Sequence, residues 1–320
     1  MQTTAEMPHL TAELAAVTDS LAQHNLFRDE TFVPNFDGEC SQVLIGTDTV
    51  IKTPLVQNDS DLALRNTRFE AAIVQALNKA ETESPLEVPR LLLSQTKASP
   101  YYNAFTKVQG DVVEYERVRR FSEQEYLDLG RRIGAFIAWM STAVELEVYD
   151  EIFRATRPVI FERADFIRSQ AERAGADDMP RALGRLLVDV RDELDRRTDD
   201  GSITPTIVGK DDFGIGNLAF RLQGGLHMVR GNFDFGITKP SRPEREFRHF
   251  APFPTVLEAG VDEYEAITGT KLSRELIQFW AVAQTATNYA GCLQAGPKYT
   301  AKAASKLVDL KILLPDFSID

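Results

Sequence analysis

The sequence has only two cysteines, Cys40 and Cys292, and they lie far apart. This spacing gives no disulfide framework and no cysteine-based metal site, because both need several cysteines at regular intervals. Long apolar runs are also missing: the segment 133–140, IGAFIAWM, is far shorter than the ~20 residues of a membrane helix. The N-terminus lacks a basic segment followed by an apolar one. We therefore expect no secretory signal, no membrane partner and a cytoplasmic location.

Basic residues are outnumbered by acidic ones, with 36 Lys and Arg against 48 Asp and Glu, and the formal net charge is −12. This balance argues against a nucleic-acid partner, because binding to a phosphate backbone needs a basic surface. It is compatible with a cationic small-molecule substrate, since acidic clefts concentrate cations. The alternative is that the acidity only keeps the protein soluble.

The first third of the chain combines strands with one long helix. The segment SQVLIGTDTVIKTP predicts a β-hairpin, because two β-rich runs flank a short Gly-Thr-Asp turn. Apolar residues at helical spacing predict one helix before this hairpin and a stronger one after it. The predicted elements are a helix over 11–25, the hairpin over 41–54, a helix over 61–80, and strands within 88–95 and 101–108.

The rest of the chain is mainly helical, with one β-rich patch. Strands followed by helices indicate an α+β protein with two lobes. The change in pattern at VQGD, 108–111, predicts a nucleotide-binding lobe over 1–108 and a helical lobe with the substrate site over 109–320. The predicted helices cover 122–144, 158–173, 180–197, 253–268, 273–293 and 298–313, and the β-rich patch covers 203–238.

Two aspartate motifs lie in the β-rich patch. KDDFGIGN contains Asp212 and, five positions later, Asn217, while GNFDFG contains Asp234. Phosphoryl transfer from a nucleotide needs Mg²⁺ held by oxygen ligands, a carboxylate facing the acceptor hydroxyl, and a cation on the phosphates. The order Asp, Asn, hairpin, Asp-Phe-Gly supplies the first two of these parts.

The third part is available near the N-terminus. Lys52 ends the strand TVIK, and Glu70 lies in the helix that follows. In protein kinases a strand lysine binds the α- and β-phosphates, and a helix glutamate fixes its position. We predict that Lys52 and Glu70 form such a pair. The alternative is that both are ordinary surface charges.

These motifs, in this order, resemble the family of aminoglycoside phosphotransferases and choline-kinase-type small-molecule kinases, and the resemblance covers nearly the whole chain. It implies a bilobal protein-kinase-like fold with a small β-rich N-lobe and a larger, mainly helical C-lobe. It also implies ATP or GTP as co-substrate and Mg²⁺ as cofactor. The implied roles are catalytic base for Asp212, Mg²⁺ ligands for Asn217 and Asp234, phosphate binding for Lys52 with Glu70, and adenine contacts for Thr106, Lys107 and Val108.

The sequence departs from the family at the catalytic loop. The family loop reads His-Gly-Asp-x-x-x-x-Asn, whereas this chain has Lys210 and Asp211 in place of the His and Gly. Lys210 would either add a cation near the transferred phosphate or form a salt bridge with Asp211. The segment 35–42, NFDGECSQ, is also poor in glycine for a nucleotide loop.

The resemblance implies transfer of a γ-phosphate to a hydroxyl of a small molecule. An aminoglycoside or another amine-bearing compound suits the acidity of the chain, and acidic segments such as 261–267 would offer carboxylates to its ammonium groups. Choline, sugars, homoserine and macrolides stay open as acceptors. Two other functions also stay open, a catalytically impaired pseudokinase and a protein kinase. His249 is expected to be a surface or capping residue rather than part of the cleft.

Overall fold

The computed structural model describes most of the chain. The described residues are 8–24, 27, 30–35, 41–54, 60–160, 162–176 and 179–318. Within these ranges, no helix is both long enough and apolar enough to cross a membrane.

A five-stranded antiparallel sheet dominates the N-lobe. Its spatial order is β1-β2-β3-β5-β4, and the long helix α2 follows β3 in the chain. The helix α1 packs against the sheet, because Val17 and Leu21 share a buried cluster with Leu44 and Ile51. The bounds are α1 Pro8–Ala22, β1 Val33–Asn35, β2 Ser41–Ile45, β3 Thr49–Pro54, α2 Ser60–Leu77, β4 Leu91–Gln95 and β5 Tyr102–Thr106.

The alternation of side chains along β3 positions Lys52. Thr49, Ile51 and Thr53 are buried, while the residues between them are half-buried. Successive side chains of a strand point to opposite faces of the sheet, so Lys52 and Ile51 lie on different faces. Ile51 joins the buried cluster with α1. Lys52 therefore faces away from that cluster.

The C-lobe is mainly helical and contains two small antiparallel sheets, β6 with β9 and β7 with β8. The described strands are β6 Ile207–Gly209, β7 Leu218–Gln223, β8 Leu226–Asn232 and β9 Lys239–Ser241. The described helices are α3 Tyr115–Val118, α4 Glu123–Ala143, α5 Leu146–Thr156, α6 Arg163–Glu172, α7 Arg181–Asp199, α8 Pro243–Glu246, α9 Pro254–Thr268, α10 Arg274–Gln294 and α11 Thr300–Leu313.

Helix α4 is the central helix of this lobe. It begins with a capping box in which the Ser122 hydroxyl accepts from the Glu125 amide and the Glu125 carboxylate accepts from the Ser122 amide. It packs closely on α9, because a Cβ added at Gly134 would lie 2.0 Å from the carbonyl oxygen of Gly260. Larger residues at these positions would force the two helices apart.

The β7–β8 hairpin is held against the segment that links the lobes. The backbones of Asp111 and Phe220 exchange hydrogen bonds of 2.8 Å in both directions. The Glu87 amide donates to Arg230, and the Asn232 amide donates back to Glu87. One buried core includes residues from both lobes. The hairpin that leads to Asp234 is thus fixed relative to the sheet that carries Lys52.

Most predicted elements are present, and the predicted two-lobed α+β fold is confirmed. The predicted helix over 158–173 is wrong at its start, because α6 begins at Arg163. Arg157 has φ 49°, and the proline after it disfavours helical backbone at that position. The sequence reasoning also missed α5, which begins soon after α4 ends. The division at 108/109 stays a prediction, and residues 36–40 of the loop 35–42 lie outside the described residues.

Candidate active site

Lys52 joins two acidic residues that are distant in sequence. Its ammonium group lies 2.8 Å from Oε1 of Glu70 on α2 and 2.6 Å from Oδ1 of Asp234, which follows β8. Lys52 and Asp234 are 182 positions apart in the chain. The pairing predicted for Lys52 and Glu70 is therefore present, and Asp234 is part of the same cluster.

The three charges of this cluster shift one another's pKa values. Desolvation alone would lower the pKa of Lys52, but Glu70 and Asp234 outweigh it, so the pKa is raised and the ammonium stays protonated. Burial raises the pKa of Glu70, and Lys52 opposes that shift. Desolvation would also raise the pKa of Asp234, but Lys52 and Lys210 lower it to about 2. Lys52 and Asp234 are thus charged at neutral pH.

Asp212 and Asn217 lie side by side. The Asn217 side-chain nitrogen donates to Oδ2 of Asp212 at 3.0 Å and to the Asp212 carbonyl at 2.8 Å. A short 3₁₀ turn over Ile215–Asn217 makes this contact possible. The amide of Phe233, next to Asp234, donates to the Asn217 carbonyl. The two aspartate motifs are thus joined through Asn217.

The donor chemistry of Asn217 and Asp234 fits Mg²⁺. Both side chains offer oxygen atoms, which Mg²⁺ prefers, and the ion is usually bound by only one or two protein groups together with nucleotide phosphates and water. Since the Asn217 nitrogen faces Asp212, its amide oxygen points away from that residue. Asp234 has φ 64°, a conformation in which its Oδ1 reaches Lys52. The described residues contain no group of three His, Cys, Asp or Glu side chains suited to a metal, and the assignment of Asn217 and Asp234 as Mg²⁺ ligands stays a prediction.

Lys210 is buried inside the catalytic loop, with 1% of its surface exposed. Its ammonium group donates to the Asp212 carbonyl at 2.7 Å and lies 5.7 Å from the centre of the Phe235 ring. Burial lowers its pKa, while Asp212 and Asp234 oppose the shift. The salt bridge expected between this lysine and Asp211 is not among these contacts, and its other expected role, as a cation near the transferred phosphate, stays a prediction. Lys210 instead supports the backbone of Asp212.

Asp211 is held by other cations. It has φ 61°, a left-handed conformation for which glycine, the family residue, is better suited. Its carboxylate lies 2.8 Å from Arg245, 2.9 Å from Arg248 and 3.0 Å from Lys239. Desolvation would raise the pKa of Asp211, but these cations outweigh it and hold the pKa far below its usual range. Asp211 is therefore a buried, ionised residue whose ion pairs fasten the loop to the rest of the C-lobe.

The three residues predicted to contact adenine, Thr106, Lys107 and Val108, lie at the end of β5 and directly after it. The Lys107 amide donates to Asp48 at 2.7 Å, and its ammonium donates to Gly46 at 3.3 Å, so this residue fastens the turn between β2 and β3. The Thr106 hydroxyl accepts from the Arg90 amide. Val108 is buried, and a Cβ at Gly231 would lie 2.2 Å from it. The adenine contacts of these residues stay a prediction.

Known proteins match this chain at the level of structure. No family model and no curated protein matches the sequence. The GDP complex of wild-type aminoglycoside 2'-phosphotransferase-IIIa is similar over 95% of this chain and 99% of its own, with 13% identity and a TM-score of 0.71. Macrolide 2'-phosphotransferase MphH from Brachybacterium faecium is similar over 96% and 99%, with 15% identity and a TM-score of 0.60. The streptomycin-ATP-APH(2")-IIa ternary complex is similar over 98% and 99%, with 14% identity and a TM-score of 0.59.

The chain has the fold of the aminoglycoside and macrolide phosphotransferases. At these identities the similarity concerns the fold, and a fold does not determine an acceptor. Among the matching structures, the bound nucleotides are GDP, ADP and ATP. Within this phosphotransferase fold, the Lys52 cluster and the Asp212 loop meet where the β7–β8 hairpin ends.

Sequence reasoning missed the residues that bond the backbone of the predicted catalytic loop at Asp211. The Asp211 amide donates to the carboxylate of buried Glu246 at 3.1 Å. The prediction that His249 is a surface or capping residue is wrong, because its Nε2 donates to the Asp211 carbonyl at 3.1 Å. Burial holds the pKa of His249 well below its ordinary value. One signal was available in the sequence: 242–250, RPEREFRHF, resembles the segment that follows the Mg²⁺-binding aspartate in the aminoglycoside phosphotransferase family.

Proposed function

We propose that this protein transfers the γ-phosphate of ATP or GTP to a hydroxyl group of a small molecule. The observation that carries the proposal is the position of Lys52, whose ammonium contacts both Glu70 and Asp234. This is the arrangement by which kinases orient nucleotide phosphates. An amine-bearing acceptor such as an aminoglycoside stays a prediction from the sequence.

The proposed roles follow from charge and contact. Lys52 is cationic and would orient the α- and β-phosphates, with Glu70 keeping it in place. Asp212, positioned by Asn217 and Lys210, would accept the proton of the acceptor hydroxyl as the oxygen attacks the γ-phosphorus in line. Mg²⁺, when bound at Asn217 and Asp234 with the nucleotide, neutralises charge on the phosphates. Catalysis would rest mainly on positioning and electrostatics.

The alternative function, a pseudokinase, was suggested by Lys210 and Asp211. Their contacts favour an active enzyme, because Lys210 bonds the backbone of Asp212 as a supporting residue would, and Asp211 is neutralised by its own cations. Neither side chain occupies the place of Asp212, Asn217 or Asp234.

Thermal unfolding with ATP or GTP, each with Mg²⁺ and with EDTA, tests the proposal. A nucleotide at 100 times its Kd should stabilise the protein by about 2.7 kcal/mol and raise Tm by several degrees. We expect a shift that needs Mg²⁺, and we expect Asp234→Ala to abolish it because the variant loses a metal ligand. Asp165→Ala, at an exposed carboxylate on α6, is the control and should keep the shift. The absence of any nucleotide-dependent shift in the wild type would refute the proposal.

A further inference from the structure

A strip of polar side chains extends from the catalytic loop across α10 to α6. Gln284 donates from Nε2 to Nδ1 of His249 at 2.9 Å, and His249 in turn donates to the Asp211 carbonyl. Arg163 donates from Nη1 to Oδ1 of Asn288 at 3.1 Å. Because Gln284 and Asn288 are four positions apart on α10, they share one face of that helix. We call these four residues, Arg163, His249, Gln284 and Asn288, the α10 strip.

The members of the α10 strip are half-buried, unlike Arg248 and Lys239, which are buried. Arg163 is close enough to Asp212 and Asp211 for both charges to act on its pKa. Its guanidinium also lies 5.7 Å from the centre of the Phe166 ring, which limits its orientation. Through His249 the strip reaches the loop that carries the proposed catalytic carboxylate, and its members are partly exposed.

The α10 strip and the charged residues around it do not form a negatively charged surface. The strip contains one cation, two amides and an imidazole that burial and Arg248 keep neutral. Burial and the neighbouring cations Arg248 and Arg245 lower the pKa of Arg163 to about 10, against the opposing effect of Asp211 and Asp212. At neutral pH Arg163 is still protonated. The Asp211 carboxylate is shared among Arg245, Arg248 and Lys239, and Lys239 also lies 3.5 Å from Glu162.

The acidic segment expected to bind ammonium groups is engaged elsewhere. In 261–267 on α9, Glu265 contacts Lys271 at 2.5 Å and accepts from the Leu272 amide at 2.9 Å. Asp262 and Glu265 both contact Arg274, at 3.7 and 3.4 Å. These carboxylates are thus neutralised by neighbouring cations.

We propose that the acceptor carries a carboxylate or phosphate group in addition to its hydroxyl, and that Arg163 binds this group. A guanidinium suits such a partner because its parallel N–H donors match two oxygen atoms of an anion. Asn288 orients Arg163, while Gln284 and His249 bond to each other, to Arg248 and to the Asp211 carbonyl and so fix this side of the site. The inference rests on the proposed function, because it assigns the acceptor of the same site.

The test uses sugars that differ in charge and share a polyol frame. Unfolding of the full chain with Mg²⁺ and ADP is measured with glucose, glucosamine, gluconate or glucose 6-phosphate. We expect gluconate or glucose 6-phosphate to raise Tm by about 2 °C or more at concentrations where glucose and glucosamine do not. The two anionic sugars distinguish a carboxylate from a phosphate.

Two variants show whether Arg163 is responsible. Arg163→Met should lose the anion-dependent shift and keep the shift given by Mg²⁺ and ADP, which also reports that the variant folds and binds nucleotide. Arg168→Met is the matched control on the same helix, because that arginine pairs with Asp165 and Asp195 away from the strip. It should behave as the wild type does.

Three outcomes overturn the inference while leaving the proposed function intact. They are a nucleotide shift with no added effect of either anionic sugar, stronger stabilisation by glucosamine, and an anion effect that survives in Arg163→Met. The absence of a nucleotide shift would instead refute the proposed function and the inference together.

Discussion

Replacing Lys210 with methionine tests whether this lysine supports the predicted catalytic loop, because the substitution should lower kcat and change the free energy of unfolding little. Methionine keeps much of the length of the side chain and removes the ammonium that donates to the Asp212 carbonyl at 2.7 Å. A hydrogen bond from a charged group contributes about 1.5–3 kcal/mol. If this bond is needed to hold Asp212 in the transition state, its loss should reduce kcat by roughly ten- to a hundred-fold.

The free energy of unfolding should change much less. Lys210 is 1% exposed, and burial of its charge is unfavourable, as the lowered pKa indicates. The hydrogen-bond partner of the ammonium is a backbone carbonyl rather than a carboxylate, so the substitution does not break a direct ion pair. Asn217 also still donates to the Asp212 carbonyl. We expect the free energy of unfolding of Lys210→Met to lie within about 1 kcal/mol of the wild type.

The assay is ADP release under saturating nucleotide, together with urea unfolding. Lys210→His restores a donor of the kind that the family has and should retain several-fold more activity than Lys210→Met. Lys97→Met, at an exposed lysine, is the matched control and should change neither measurement. An unchanged kcat in Lys210→Met would refute the supporting role. A loss of kcat explained entirely by unfolding would also refute it.

Two further substitutions test the loop. Asp212→Asn should reduce turnover to background, because the proposed role of the carboxylate is to accept the proton of the acceptor hydroxyl. Nucleotide affinity, measured by titration calorimetry, should stay within a few-fold of the wild type. Unchanged turnover would exclude Asp212 as the base. Asp211→Asn should lower the free energy of unfolding at pH 7 by about 3–5 kcal/mol, since it leaves buried cations unpaired. The folded-state pKa of Asp211 is depressed, so its stabilisation is present above the unfolded pKa of about 3.9 and is lost as pH falls toward the folded value. The advantage of the wild type over Asp211→Asn in urea unfolding should therefore begin to shrink as pH falls through about 4 and keep shrinking at lower pH, and a difference that stays constant from about pH 5 to about pH 2 would contradict the assignment.

The residues brought together by short motifs could be predicted from the sequence. Asp212 and Asn217 share one turn, and Asp234 ends the next hairpin, so their proximity follows from local chain geometry. Lys52 and Glu70 lie on consecutive elements, and the order of elements was enough to pair them. The fold class followed from the same order of strands and helices.

The environment of Asp211 could not be predicted in this way. Its partners Lys239, Arg245 and Arg248 come from a strand end and two short turns of helix well downstream in the chain. Nothing in their spacing indicates which carboxylate they contact. The role of His249 was missed for the same reason, since an isolated histidine in sequence carries no information about a backbone carbonyl nearby. Net charge is also a weak guide to the acceptor, because −12 over the chain says little about the charge beside one side chain.

Lys210 and Asp211, the two departures from the family loop, each bring a new buried charge to the same turn of the chain. An unpaired buried charge is strongly destabilising, so each of the two new charges needs partners within the fold. Here Asp211 brings a left-handed conformation and a negative charge, and three cations converge on it. Lys210 brings a positive charge, and the Asp212 carbonyl and the Phe235 ring receive it. Lys210 also bonds the backbone carbonyl of Asp212, and Arg248 bonds that of Asp211, which is the arrangement expected if the loop is maintained to position the Asp212 carboxylate.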